Sequence, residues 1–358
     1  MGKYLILSKE KVELDWKQKL RKSVNLTLNP RHVYYNQSSV NCYIDCSTRT
    51  NEDINKNLII DKSQYKNNLI LNNFSFSGMS GYNGYYTNFN LSSSRAIGKT
   101  LGTQHWLIES LTNPGTSDTA LLEPLIVRSD EFIGIGKTVT ISIKGLPNKN
   151  DISILDGLGY VYLNNGLNTI TFKNPSVIKY FVFHYNNSSM KNIEIEIFPE
   201  YPGGLVFDGV DDYGQLSIPT YFKTVYLDLR ILSNIPSIIY DTRDNNLKGI
   251  YSIMYGDRTD GNIAYYGRLS ESGKTYINGT LNTTKICSEL LDKRHILTVT
   301  CKEDNITDQL RNIFGMNSAY QFYTKMVLYK FLGFKEEHNQ EQINNVINEF
   351  NLLKNIEL

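Results

Sequence analysis

Leu205-Val-Phe-Asp-Gly-Val-Asp-Asp-Tyr213, directly behind Pro199-Glu-Tyr-Pro-Gly-Gly204, is the stretch on which the reading of the fold turns. A short apolar strand runs into an acidic glycine turn, after a proline- and glycine-rich break of the kind that separates elements. Strand-length runs follow at short, regular intervals: Leu216-Ser-Ile218, Thr224-Val-Tyr-Leu-Asp-Leu-Arg230, Ser237-Ile-Ile-Tyr240, Ile250-Tyr-Ser-Ile-Met254, Lys274-Thr-Tyr-Ile277, His295-Ile-Leu-Thr-Val-Thr-Cys301 and Tyr323-Thr-Lys-Met-Val-Leu-Tyr-Lys330. The chain then changes period. Ile343, Val346, Ile347, Phe350 and Leu353 fall at i, i+3, i+4, i+7 and i+10 and predict a helix with one apolar face. Glu336, Glu337 and Glu341 towards its start and Lys354 at its end suit the helix dipole.

The same rhythm holds upstream. Lys137-Thr-Val-Thr-Ile-Ser-Ile-Lys144 alternates strictly, and Asn192-Ile-Glu-Ile-Glu-Ile-Phe198 sends its isoleucines one way and Glu194 and Glu196 the other. Tyr160-Val-Tyr-Leu163 and Asn168-Thr-Ile-Thr-Phe172, joined by Asn164-Asn-Gly166, predict a tight hairpin. Before these, residues 49–100 are rich in Gly and Asn, and Val24–Leu28 and Val40–Ile44 read as strands. Val12, Trp16 and Leu20 suggest a short helix. The expected architecture is all-β: tandem β-sandwich or jelly-roll domains, the last with a terminal α-helix. The expected boundaries are an attachment segment at 1–47, one sandwich at 48–200 and a second at 201–358.

Composition removes several classes of function. The 358 residues carry 37 Lys and Arg against 36 Asp and Glu, without the basic excess of a nucleic-acid domain. The cluster at Lys17–Lys22 is short and reads as a solvated helix face. Met1-Gly-Lys-Tyr-Leu-Ile-Leu-Ser8 lacks the apolar core of a secretory signal, which needs about 7–15 residues. No run approaches the roughly 20 apolar residues of a membrane span. Of the four cysteines, Cys42 and Cys46 sit about 13 Å apart if they share a regular strand, too far for a disulfide. Cys287 and Cys301 flank a possible hairpin, with free buried thiols the default.

Sites of chemistry are few. Gly98-Lys-Thr100 and Gly136-Lys-Thr138 lack the upstream glycine of a phosphate loop, and no nucleophile elbow or zinc helix occurs. Asp208, Asp211 and Asp212 crowd one turn and read first as a solvated turn, with Ca²⁺ coordination as the alternative. Tyr82, Tyr85, Tyr86, Tyr265 and Tyr266 are candidates for stacking on sugar rings; the first three can equally pin an irregular loop to a sandwich face. Glu194 and Glu196, about 6.6 Å apart along one strand face, are the sharpest pair for glycoside cleavage. The sandwich-glycosidase run Glu-x-Asp-x-x-Glu does not occur.

Leu205–Tyr213 resembles the first strand of laminin-G-like, concanavalin-A-like lectin domains. Tyr276-Ile-Asn-Gly279 is similar to their internal hairpin, Arg294–Thr300 to the strand after it, and Met326–Leu332 with Glu336-Glu337 to their closing strand and helix. The resemblance implies a two-sheet domain that binds glycans, proteins or ions. Arg49-Thr-Asn-Glu-Asp53, Asp61-Lys-Ser63, Leu71–Phe74, Met79–Tyr85 and Ile193–Gly209 are similar to fibre or appendage proteins of Bacteroides phages, including the crAss-like group. That implies a non-enzymatic virion structural protein, a fibre or capsid-decorating subunit, made in the host cytoplasm without a secretion signal. It would be a homotrimer or dimer contacting other virion proteins such as the capsid, and host-surface glycans, but neither nucleic acid nor membrane. The alternatives are a stand-alone lectin and, behind it, a glycan-degrading enzyme. No cofactor is expected beyond the Ca²⁺ that the aspartates suit.

Overall fold

A computed structural model describes residues 40–85, 89–91, 96–111, 123–128, 136–148, 151–156, 158–173, 180–183, 191–233, 235, 237–242, 252–255, 264–266, 273–283, 291–301, 311–316 and 322–356. Within them the chain is all-β, with antiparallel sheets and one α-helix, Gln340–Ile356. The readings at residues 12–28 and the Lys17–Lys22 cluster lie outside the described residues.

One sandwich has an eight-stranded and a seven-stranded sheet. The first runs Thr280–Leu281, Lys274–Ile277, Arg294–Thr300, Thr224–Ile231, Lys325–Phe334, Leu205–Asp208, Gly81–Tyr82, with Val40–Asp45 also paired to Lys325–Phe334. The second runs Leu58–Ile59, Leu69–Asn72, Tyr213–Leu216, Ile313–Phe314, Ser237–Asp241, Ser252–Tyr255, Ala264–Tyr266. Their facing sides share one core, with Ile44, Phe207, Leu227 and Phe331 from the first sheet and Leu69, Leu216, Tyr240 and Phe314 from the second. Alternation sets this arrangement: Met326 and Leu328 point inward, while Val327 and Tyr329 point out and pack with Tyr201 and Val206.

This topology corrects the domain boundaries. Residues 40–82 do not begin a separate sandwich or an attachment segment. Val40 pairs with Phe334, Leu69 with Leu216, and Tyr82 with Leu205, so these strands complete both sheets of the domain formed by the C-terminal half. The second sandwich is an insertion between Tyr85 and Phe198. Its sheets are Tyr160–Tyr162, Ile152–Leu155, Tyr180–Phe183, Glu123–Arg128, Phe89–Leu91, and Gly166–Thr171, Thr138–Lys144, Ile193–Ile197, His105–Leu111, Ala96–Gly102. Trp106, Ile108, Ile141, Ile152, Ile154, Phe172 and Ile195 are among its core residues. The chain leaves and returns through one doorway, where the Tyr201 amide donates to the Asn83 carbonyl (2.8 Å) and the Glu200 amide to the Gly84 carbonyl (2.9 Å). Gly84 is there for a reason: its φ is +54°, and an added Cβ would lie 2.7 Å from Val206.

A second correction concerns Asn164-Asn-Gly166. Tyr160–Tyr162 and Gly166–Thr171 do not pair with each other. The former pairs with Ile152–Leu155 and the latter with Thr138–Lys144, so the turn carries the chain from one sheet to the other. Leu163 is buried at the crossing, and the Asn165 amide brackets Leu146, accepting from its N–H (2.9 Å) and donating to its carbonyl (2.7 Å). A buried leucine and a long-range amide clamp override the local turn preference. The Asn278-Gly279 turn does close its hairpin, with Ile277 opposite Thr280 and positive φ at both turn residues.

The terminal helix lies on the outer face of the eight-stranded sheet. Ile343, Val346 and Ile347 pack on Val40, Tyr43, Tyr226, Tyr276, Ile296, Leu332 and Phe334. The side chains of Phe350 and Leu353 lie outside the described residues. Just before the helix, buried His338 hydrogen-bonds the Tyr226 hydroxyl through Nδ1 (2.6 Å).

Candidate functional site

The aspartates of the opening segment do converge. Asp208, Asp211 and Asp212 each offer a carboxylate oxygen within 4.8 Å of the others. The strand Leu205–Asp208 ends in a turn that Asp208 builds by accepting from the Val210 N–H (2.7 Å) and the Asp211 N–H (3.3 Å), with Gly209 at φ +81°. Asp212 faces inward. Its Oδ2 accepts from the Asp208 amide (3.0 Å) and its Oδ1 from the Ser80 hydroxyl (3.1 Å), tying the turn to the neighbouring loop. Ca²⁺ takes six to eight oxygens. The buried member of this set already holds two internal donors, so the turn answers to its own bonds first.

Burial, reinforced by the charges of Asp208 and Asp211, pushes the Asp212 carboxyl up to about 7, against the pull of its two hydrogen bonds. A folded-state pKa above the unfolded value of about 3.9 means the native state holds its proton longer, so this contribution to stability falls between roughly pH 4 and 7. Asp212→Asn should therefore raise the Tm at pH 8 and leave it nearly unchanged at pH 4. The amide can still accept from Asp208 and donate to Ser80. With solvent beside Asp208 and Asp211 screening the repulsion, the gain should be about 1–2 kcal/mol. Thermal unfolding across pH 4–8 measures it. A Tm rise with millimolar Ca²⁺ in the wild type, lost in the variant, would instead make the turn a cation site.

Tyr82 and Tyr85 pin the loop and do not form a stacking platform. Tyr82 is 1% exposed and its hydroxyl donates to the Lys56 carbonyl (2.6 Å); Tyr85 is 7% exposed. Both pack inward because the loop folds under its own aromatic cluster, with the Phe76 ring stacked 5.9 Å from that of Tyr82. Neither ring is open to a sugar. Tyr86 lies outside the described residues, as do the side chains of Tyr265 and Tyr266 on the strand Ala264–Tyr266. An exposed pair that sequence reasoning missed stands elsewhere. Tyr160 and Tyr162 are 43% and 44% exposed on the strand that edges one sheet of the insertion, and Leu158, two residues before them, is 75% exposed. Their alternation with Val161 was visible in the sequence, but the hairpin expectation paired that strand on the wrong side.

Glu194 and Glu196 share a face, as the alternation predicts. Glu194 is engaged there: its Oε1 accepts from His105 Nε2 (2.9 Å) and Lys144 Nζ (3.2 Å). Burial alone would raise its pKa, but these two partners hold it below the usual carboxylate range. This suits Glu194 to the charged role of a glycosidase pair, not to the proton-donating one. Among the other predicted groups, Cys42, Cys46 and Cys301 are free buried thiols. Cys287 lies outside the described residues. No helix among the described residues is long and apolar enough to cross a membrane.

No protein-family profile matches the chain, and no curated protein matches it. Among solved structures it is similar to Trypanosoma rangeli sialidase, at 10% sequence identity and a TM-score of 0.29 over 83% of this chain and 61% of that one. The chain thus spans about three fifths of the sialidase's length. The matched chain is an enzyme, which stands against the expectation of a protein without catalysis. A TM-score of 0.29 transfers no chemistry to this chain, and catalysis becomes a matter for assay.

Proposed function

We propose that this is a display protein whose inserted sandwich contacts cell-surface glycans. The observation that carries the reading is the pair Tyr160 and Tyr162, exposed on one face of an edge strand in a domain that the chain enters and leaves side by side. Side chains two residues apart along a strand stand about 6.6 Å from each other, a spacing that lets neighbouring sugar rings lie on neighbouring aromatic faces. Ordered polar groups lie beside them for sugar hydroxyls: Lys173 Nζ is 2.7 Å from Asp156 Oδ2, and Asp156 Oδ1 also accepts from the Leu158 and Gly159 amides.

The sequence resemblance to phage appendage proteins supports a virion setting, a head or tail fibre or a decorating subunit. Copies related by symmetry, three or two, would add weak glycan contacts into avidity. Binding to glycan arrays and to intact bacterial cells tests the reading. The double variant Tyr160→Ala/Tyr162→Ala should lose binding by about tenfold or more, because two aromatic faces that would carry the sugar rings are removed, while its Tm stays within about 1 °C of wild type. Unchanged binding in the double variant, or no glycan bound by the wild type, would end the proposal.

A further inference from the structure

The strand Ile193–Ile197 and its two neighbours gather titratable groups on the insertion. Ile193, Ile195 and Ile197 enter the core, which leaves Glu194 and Glu196 together on the opposite face. On one side lies His105–Leu111, antiparallel, with His105 opposite Glu196 and Leu107 opposite Glu194. On the other side Lys144 is opposite Glu194 and Ser142 opposite Glu196. The tight reversal that pairs Gly102 with His105, with Gln104 at φ 52°, starts the strand so that His105 is its first residue. One imidazole nitrogen and two carboxylate oxygens thereby fall within 4.8 Å of one another.

We propose that His105, Glu194 and Glu196 bind a divalent transition-metal ion, Zn²⁺ before others, on the outer face of this sheet. The donor set selects the ion. Ca²⁺ and Mg²⁺ take oxygen ligands, whereas an imidazole with carboxylates suits zinc, which often keeps three protein ligands and one water. Zinc–ligand bonds of about 2.0–2.2 Å put tetrahedral donors about 3.3–3.6 Å apart. The present spread therefore closes by side-chain rotation alone. Three hydrogen-bonded strands fix the backbone beneath the ligands, so the site loses little freedom on loading.

The local charge favours a cation. The His105 side chain is 12% exposed and that of Glu194 28%, which weakens screening. The negative field reaches Tyr85, whose hydroxyl is held well above its usual range by burial and then by the charges of Glu52 and Glu196. The cation now on Glu194 is Lys144, 3.2 Å from Oε1 on a side chain 58% exposed. An exposed ammonium pair is worth little and swings into water readily. Lys144 and a metal ion therefore compete for the same oxygen, and that competition makes the site testable.

The experiment uses the full chain, stripped with a chelator and titrated with Co²⁺ and then Zn²⁺. One equivalent of Co²⁺ should give the visible absorption of a four-coordinate ion and be displaced by Zn²⁺. Affinity should fall by about tenfold or more in His105→Gln and in Glu196→Gln, as loss of a metal-site group does. It should rise in Lys144→Ala, an effect that surface-bound metal would not show. Glu196 lies on the solvent-facing side of its strand, so Glu196→Gln carries the test if the histidine variant fails to fold. No saturable binding near one equivalent, or binding indifferent to both ligand variants, reduces the cluster to an ion-pair network only.

Discussion

A fragment of residues 201–358 should fail to fold, whereas residues 40–85 joined by a short linker to 198–358 should give a folded sandwich. The boundary at Pro199–Gly204 looks like a domain start in the sequence, yet the domain behind it is incomplete. Residues 40–82 supply Cys42, Ile44, Cys46, Ile59, Leu69, Leu71, Phe74 and Tyr82 to its core, eight of the 26 core residues among those described. Burying each such side chain is worth about 1.5–3 kcal/mol, so their loss exceeds the roughly 5–15 kcal/mol by which a domain is stable. The fragment would also expose the unpaired edges of Leu205–Asp208 and Tyr213–Leu216, where Gly81–Tyr82 and Leu69–Asn72 now sit. Removing 86–197, by contrast, cuts the chain where its ends already meet through the Tyr201–Asn83 and Glu200–Gly84 bonds. Urea unfolding and near-ultraviolet circular dichroism of the two fragments decide it. A cooperative transition in 201–358 alone would overturn the discontinuous domain.

The contrast between these fragments shows what the sequence can carry. Strand identity is local, and the alternation in Thr138–Lys144, Ile193–Ile197 and Arg294–Thr300 announces each of them. The terminal helix is as legible, because Ile343, Val346 and Ile347 repeat at the helical period. Pairing is not local. Val40 meets Phe334 across almost the whole chain, and Leu58–Ile59 and Gly81–Tyr82 are two-residue strands with no period to detect. A region rich in Gly and Asn therefore looks like loop when it is the edge of a distant sheet. The site followed the same rule. That Glu194 and Glu196 share a face was legible; that His105 completes the group depends on the register with a strand about 90 residues earlier. Tyr82 and Tyr85 allowed two readings because turn-rich surroundings suggest exposure, while the aromatic rings themselves supply the reason to fold inward, which is what the structure shows.

Replacing Arg294 with leucine should lower stability by about 3 kcal/mol, the low end of the cost of stranding one member of a buried ion pair. Five charges cross the outer face of the eight-stranded sheet in alternating sign. Lys62 Nζ meets Asp45 Oδ2 at 2.6 Å, Lys330 lies opposite both Asp45 and Asp228 in the ladder, and Arg294 closes the row on Asp228. Asp228 is fully buried, and Arg294 grips it with two bonds of 2.9 Å, Nε to Oδ1 and Nη2 to Oδ2. The guanidinium also lies 3.7 Å over the Tyr329 ring. Leucine removes both bonds and the cation–π contact and leaves Lys330 as the neighbouring cation, which is why the loss sits at the low end. Lysine keeps the charge but neither the fork nor the stacking, and should cost about 1 kcal/mol. Adding Asp228→Asn to the leucine variant removes the stranded charge and should restore more than half the loss, since neutral replacement of a buried pair is often tolerated. Urea midpoints at constant slope give all three values. A leucine variant within about 0.5 kcal/mol of wild type would show the pair to be solvated. The expected loss would instead show that this row stabilises the sheet whose outer face carries Tyr201, where Arg230 lies 5.2 Å over the ring and the chain returns from the insertion.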